Sequence, residues 1–302
     1  MNAAALPTGF IGLGAMGAPM AGRILAAGIP LVVNDRDAKK VDALCAAGAE
    51  AAPNAKEIGR RCARTIVIVE TAAQVRDVLL GPAGLAAGAV PGHQVACMAT
   101  IDRHALRAMT EELAARRIDL IDAPVSGSTE GAIAGSMAIF VGADEQGARG
   151  FDGCFRAMAK NIFHMGGLTK GLEIKLLNNM LAQTNSVAVA EVLAMAAKAG
   201  LDLPTVIAAI KVGTGNSAAF ELRAPRMMRR DFTPGGTNDI SYKDQELETA
   251  FAKELGVPVF LANVSQQVYQ IARGMGLGKE DGSSLIKVYE ALSGMNRDRA
   301  DP

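Results

Sequence analysis

The 302-residue chain has no tryptophan, and aromatic residues make up only 4% of it. That is too few for the base-stacking platforms on which single-stranded nucleic acids lie. An excess of either charge is also missing, because 31 Lys+Arg balance 31 Asp+Glu. A chain that neutralises phosphates carries a basic surplus, so no nucleic-acid partner is expected. No apolar run reaches 18 residues without interruption, and no membrane partner is expected either. The opening MNAAALPTGF lacks a basic segment followed by an apolar one, so export is not indicated. The four cysteines, Cys45, Cys62, Cys97 and Cys154, include no CxxC pair, and with three scattered histidines they form no metal pattern. Half the residues are hydrophobic and 21% are charged, the balance of a folded globular protein. The composition reads as soluble, reduced and cytoplasmic, and the length suggests two domains.

The first forty residues carry most of the information. Thr8-Gly-Phe-Ile-Gly is a short apolar run that reads as a strand, followed by Gly12-Leu-Gly-Ala-Met-Gly17. Ala18–Ala27 then has helical periodicity with Pro19 in its first turn, Gly28 serves as a C-cap, and Leu31–Asn34 reads as a second strand. Strand and helix patterns keep alternating afterwards. Strands are expected at Thr65–Val69, His93–Met98, Asp119–Asp122 and Met137–Val141, with helices at Arg103–Arg116 and Gly150–Ala159. This alternation predicts an α/β Rossmann domain, a doubly wound and mainly parallel sheet. From about Leu172 no strand pattern remains. Helices are expected at Leu172–Ala199, Leu203–Lys211, Lys243–Leu255, Phe260–Met275 and Ser283–Leu292. The expected boundary divides a dinucleotide-binding domain, residues 1–167, from an all-helical domain, residues 168–302. A long interdomain helix joins them, with the active cleft expected near the junction.

In Gly12-x-Gly14-x-x-Gly17 the first glycine permits a tight turn, the second lets a pyrophosphate approach, and the third allows close helix–strand contact. Leu13, Ala15 and Met16 complete the loop, and the helix N-terminus offers free N–H groups to an anion. GxGxxG alone is a weak signal in a chain with 33 glycines; the strand–turn–helix frame is what makes it specific. At the end of the second strand, Asp35 stands where a ribose-binding acid belongs, and its charge would repel a 2′-phosphate. Arg36 could instead meet such a phosphate. NAD is favoured over NADP, while Arg36 and Asp37 also read as solvated turn charges.

Two later segments point to a reaction. Asp122-Ala-Pro-Val-Ser-Gly-Ser-Thr-Glu-Gly-Ala132 leaves a strand end and is rich in backbone donors and hydroxyls, suited to a small carboxylate. Pro, Ser and Gly also suit an ordinary turn. In Gly166–Asn179, Lys175 and Asn179 are four apart and share one helix face among apolar neighbours. Desolvation there would lower the lysine pKa and suit it to proton transfer. The alternative is a surface lysine whose stem lies on apolar residues.

Together these motifs resemble the β-hydroxyacid dehydrogenase family along nearly the whole chain. Thr8–Ala21 is similar to its cofactor motif, DAPVSG at 122–127 to its substrate motif, and Lys175 with Asn178-Asn179 to its catalytic motif. Lys243-Asp244 and Gly276–Asp281 resemble two later segments. The resemblance implies an NAD(P)-dependent oxidation of a small 3-hydroxy acid with Lys175 as general acid/base. Asn179 would position the substrate, and Ser126 and Gly127, with Ser128 beside them, would bind its carboxylate. Thr100 and Lys243 would line the nicotinamide end. The chain departs from the family at Ser128 and Thr169, each in place of a glycine, and at Glu70-Thr71, where many members have Leu-Pro. Glu70–Arg76 is closer to threonate dehydrogenase-like members. An imine reductase and a noncatalytic dinucleotide-binding protein are the competing readings; Lys175 counts against the first, and intact Lys175 and Asn179, with no basic extension, against the second. The helical half would leave apolar faces exposed, so a homodimer or homotetramer is expected. His93, His104 and His164 read as structural or surface residues, and the arginines around Met227-Met228 as a solvated loop or helix end.

Overall fold

The computed structural model describes residues 7–295. Residues 1–6 of the stretch read for export, and residues 296–302 of the expected second domain, lie outside the described residues. The chain forms two compact units, residues 1–175 and 176–302.

The first unit holds six parallel strands: β1 (Thr8–Ile11), β2 (Leu31–Asn34), β3 (Glu50–Ala51), β4 (Arg64–Val67), β5 (Gln94–Cys97) and β6 (Asp119–Asp122). Their order is β3-β2-β1-β4-β5-β6. The helices between and after them are α1 (Gly17–Ala26), α2 (Ala38–Ala46), α3 (Ala55–Arg61), α4 (Ala72–Leu80), α5 (Arg103–Ala114), α6 (Ser128–Ala134), α7 (Glu145–Ala148) and α8 (Asp152–Met158). Both faces of the sheet are covered, which is why its strands read as continuous apolar runs. Phe10, Val33, Ile66 and Ala96 enter one core with Met20, Ile24 and Phe155. Their neighbours Ile11, Val32, Val67 and Val95 point the other way, into a core with Ile58, Leu79 and Leu106. Side chains fix the helix starts. Asn54 caps α3, Asp102 caps α5, and Thr71 with Gln74 makes a reciprocal capping box on α4.

Chain order reverses at β1, with β2 on one side and β4 on the other. In open α/β sheets that reversal creates a ligand crevice at the carboxyl ends of the strands. A second sheet corrects one expectation. Met137–Val141 is β8, and it lies outside the main sheet, between β7 (Val125–Ser126) and β9 (Ala159–His164). It pairs antiparallel with β7 and parallel with β9. The expected helix Gly150–Ala159 is α8, and Ala159 already begins β9.

α9 (Lys170–Lys198) opens before the division between the units and continues through the second. It is followed by α10 (Leu203–Val212), α11 (Ala218–Arg229), α12 (Asn238–Glu254), α13 (Phe260–Gly274) and α14 (Leu285–Leu292). Val187, Ala190 and Leu193 of α9 form the core of this unit with Phe220, Met227, Tyr269 and Leu285. By length and composition α9 is apolar enough to cross a membrane. The sequence count of uninterrupted runs passed over it because Asn178, Asn179, Gln183 and Asn185 break the run. Core helices of folded domains meet the same test, and the inward face of α9 is such a core.

Two expectations are corrected in this unit. The stretch around Met227-Met228 is the last turn of helix α11, the helix end that was one of the two expected readings, but Met227 is buried rather than solvated. Arg229 is exposed as expected, but three other arginines are used internally: Arg223 binds the buried Asp281, Arg226 lies 3.3 Å from the same carboxylate, and Arg230, just past the helix, lies 3.0 Å from Glu290. α12 starts five residues before Lys243, because the Thr237 hydroxyl accepts from the Ile240 N–H and caps it there.

Candidate active site

The glycine loop lies between β1 and α1, at the point where chain order reverses. Gly12 has φ +98°, and a Cβ there would overlap the Ile68 carbonyl that follows β4. A Cβ on Gly17 would overlap the Gly12 carbonyl. Around Gly14 there is nothing within 4 Å of a built Cβ, and Gly14 and Ala15 are exposed while Leu13 is buried. Two glycines therefore close the turn against the sheet, and the middle one leaves a bare backbone surface outward. The start of α1 has no side-chain cap and no acidic residue in its first turn. No side chain thus competes for its positive dipole end, as an anion-binding helix start requires. These residues fit a dinucleotide pyrophosphate.

Asp35, half-buried, directly follows β2, and Arg36 beside it is exposed. The Asp35 carboxylate accepts from the Leu13 N–H at 2.5 Å and from the Asp37 N–H at 2.9 Å. It thus places a negative charge against the loop while each oxygen keeps a lone pair for a ribose hydroxyl. Thr100, half-buried, follows β5 at the same carboxyl edge.

The segment from Asp122 to Ala132 leaves the end of β6. Ser126 is the second residue of β7 and pairs with Ala138. Gly127 has φ +137° and Ser128 φ +57°. The Ser128 hydroxyl donates to Glu130 Oε2 at 2.6 Å. Asp122 is fully buried, and its two oxygens accept from the N–H groups of Thr169 and Leu172, each at 2.7 Å. Burial pushes its pKa above the ordinary carboxylate range against the pull of those donors. Arg103 lies 3.2 Å from Glu173 on the first turn of α9, and Arg107 donates to the Thr169 hydroxyl at 2.9 Å. Lys175 follows one turn later, half-buried.

Asn179 lies on α9 one turn beyond Lys175. In the second unit its Nδ2 donates to Asp244 Oδ2 at 2.9 Å. The Lys243 ammonium is 3.0 Å from the other oxygen, Oδ1, out of line for a hydrogen bond. One turn further along both helices, the Gln183 amide faces the buried Glu248 carboxylate at 3.2 Å. Asp122 and Asp244 are the residues that sequence reasoning passed over. Both stood inside quoted motifs, but neither motif reveals the partner that its acid holds. Among the described residues no group of His, Cys, Asp and Glu could hold a metal.

The switch-point loop and its acid are those of a dinucleotide-binding domain. Residues 7–167 match the family model for the NAD-binding domain of 6-phosphogluconate dehydrogenase. Residues 169–289 match that for the NAD-binding region of NADP-dependent 3-hydroxyisobutyrate dehydrogenase. The chain is 34% identical over 289 residues to 2-(hydroxymethyl)glutarate dehydrogenase of Eubacterium barkeri, covering 95% of this chain and 96% of that one. It is 30% identical to L-threonate dehydrogenase of Cupriavidus necator, covering 94% and 96%. The crystal structure of 3-hydroxyisobutyrate dehydrogenase from Salmonella typhimurium superposes with a TM-score of 0.87 at 32% identity, over 94% of this chain and 99% of that one. The chain belongs to the β-hydroxyacid dehydrogenase family, NAD(P)-dependent enzymes that act on the CH–OH group of small hydroxy acids. Imine reductases match at 17% and 19% identity and share the fold.

Proposed function

We propose that this enzyme reversibly oxidises a small 3-hydroxy acid to the corresponding semialdehyde or keto acid, with Lys175 as general acid/base. The observation that carries the reading is the tie between the two functional segments: the helix bearing Lys175 is fastened by Asp122 to the strand end that leads to Ser126 and Gly127. The relatives bear on substrate class. One is named for 2-(hydroxymethyl)glutarate, another for L-serine, and others for L-threonate. The first two carry a hydroxymethyl group on the carbon next to a carboxylate, and a substrate of that kind is proposed here.

The Gly127 N–H and the Ser126 hydroxyl hold the substrate carboxylate, Ser128 joins them only when its hydroxyl turns away from Glu130, and Asn179, itself oriented by Asp244, directs its amide at the reacting oxygen. Lys175 takes the hydroxyl proton during oxidation and returns it during reduction. When bound, the nicotinamide accepts the hydride from the carbinol carbon and gives it back in the reverse direction. Gly12, Leu13, Gly14, Ala15, Met16 and Gly17 hold the pyrophosphate, Asp35 the adenosine ribose, and Thr100 lines the nicotinamide end. NAD is the proposed partner, because the Asp35 carboxylate lies against the loop while Arg36 is exposed.

The test is Lys175→Met. Its kcat is expected to fall about 10²–10⁴-fold, the usual worth of a general acid/base, with NADH affinity unchanged. Retention of most of the rate removes Lys175 from the mechanism, and binding of NADH without turnover by the unmodified protein would favour a sensor. We also propose a homodimer or homotetramer built through residues 168–302, because α13 exposes Phe260 by 78% and Leu261 by 74%. A monomer at micromolar concentration in sedimentation would refute it. The four cysteines are free thiols, which supports a cytoplasmic location, to be checked by fractionation.

A further inference from the structure

One carboxylate joins the two segments on which the proposed chemistry depends. Asp122 ends β6, and the chain leaving it reaches Ser126 and Gly127 within five residues. Its oxygens accept from Thr169 and Leu172, at the entry and in the first turn of α9, and Lys175 lies three residues beyond Leu172. A helix start is ordinarily capped by its own preceding residue. Here that residue, Thr169, has φ +74° and its hydroxyl accepts from Arg107 instead. The cap on the first turn, at the Leu172 N–H, is supplied from 50 residues away.

The carboxylate has little room to move. A Cβ on Gly142 would overlap its Oδ1, and a Cβ on Gly171 would lie 2.9 Å from its Oδ2. The charged groups around the same turn have other partners: Arg103 lies 3.2 Å and Lys170 2.7 Å from Glu173.

We propose that Asp122 is the positioning residue for Lys175: it caps the catalytic helix from the end of β6 and so fixes the lysine relative to the Ser126–Gly127 loop. This rests on the reading of Lys175 as acid/base. Asp122 does not touch the reacting atoms; it acts through the helix. A displacement of about 1 Å at a reacting group can cost about 10²-fold in rate. Asp122→Asn keeps one acceptor and turns an NH2 group toward the other N–H, which releases the turn.

The experiment compares Asp122→Asn, Lys175→Met and the double variant with the unmodified enzyme, measuring kcat, KM and NADH affinity by fluorescence titration. Asp122→Asn is expected to lower kcat about 10- to 100-fold, with KM and NADH affinity within about threefold. In the Lys175→Met background it should cause no further loss, because the group it positions is gone. A purely structural acid would lower both backgrounds by the same factor, and that result, or a wild-type kcat in Asp122→Asn, overturns the proposal. An active Lys175→Met enzyme is a different failure: it removes the functional reading, and this inference with it. If Asp122→Asn does not fold, Asp122→Ser, smaller and still an acceptor, takes its place. Failure of both to fold assigns Asp122 to stability alone and overturns the proposal.

Discussion

A single methyl group, placed at either of two glycines two residues apart, should separate stability from cofactor binding. At Gly12 an alanine meets two penalties. The backbone sits at φ +98°, and the new Cβ would overlap the Ile68 carbonyl. A left-handed conformation costs a non-glycine residue about 1–2 kcal/mol, and forcing a methylene into packed backbone adds about 1–3 kcal/mol. The sum, about 2–5 kcal/mol, exceeds the usual worth of a point mutation. At roughly 2–4 °C per kcal/mol for a chain of this size, Tm should fall by about 4 °C or more. At Gly14 the same methyl meets nothing within 4 Å, and no positive φ has to be held. Tm should stay within about 2 °C, since substitutions free of such features change stability by about 0.5 kcal/mol or less. The methyl would stand where the pyrophosphate must approach. Losing one hydrogen bond to a charged group costs about 1.5–3 kcal/mol, so NADH affinity should drop about 10- to 100-fold. Thermal denaturation without cofactor and fluorescence titration with NADH read the two effects separately. Equal Tm losses at both positions, or an unchanged NADH affinity in Gly14→Ala, would refute the assignment of inward and outward glycines.

Two further outcomes follow from buried and half-buried charges. His93 is buried against Thr65, its Nε2 2.9 Å from the hydroxyl, and burial lowers its pKa from 6.5 to about 4. The unfolded chain therefore binds a proton that the folded one refuses, so stability is lost as pH falls from 6.5 toward 4. At 1.36 kcal/mol per pKa unit the loss is about 3 kcal/mol. The acid limb of a denaturation profile should flatten by that amount in His93→Gln, and an unchanged limb would contradict the reading. Asp35→Ser should narrow the preference for NAD over NADP, since it removes the charge opposed to a 2′-phosphate while Arg36 stays exposed. A higher kcat/KM with NADP in the unmodified enzyme would overturn the assignment.

What the sequence revealed and what it hid divide along one physical line. β2, β6 and β8 were legible to the residue, because β2 and β8 are short apolar runs and β6 is an apolar pair closed off by an aspartate at each end. β3 and β7 have two residues each, too few for any periodicity, and they exist only because a neighbouring strand offers pairing. β9 alternates poorly: Lys160, Asn161 and Phe163 are all exposed. α11 broke the helical pattern with Pro225. The motif positions of the site were legible for the same reason as the long strands. The acids that hold them were not, because Asp122 reaches 47 and 50 residues along the chain and Asp244 reaches 65. Periodicity reports local geometry and is silent on such contacts.

The departures from the family carry the remaining information. Ser128 and Thr169 each stand in place of an expected glycine, and each has a left-handed backbone, φ +57° and +74°. Such a conformation costs a non-glycine residue about 1–3 kcal/mol and persists only where the surroundings enforce it. Both residues have that enforcement. Ser128 donates to Glu130 at 2.6 Å, and Thr169 is held at its N–H by Asp122 and at its hydroxyl by Arg107. The chain therefore keeps the turns that the glycines would have made and adds a hydroxyl at each. At Thr169 the hydroxyl is absorbed into the fastening of α9. At Ser128 it stays on the loop proposed to hold the substrate, with Glu130 as its acceptor. The left-handed turn at each of the two positions is thus kept without a glycine.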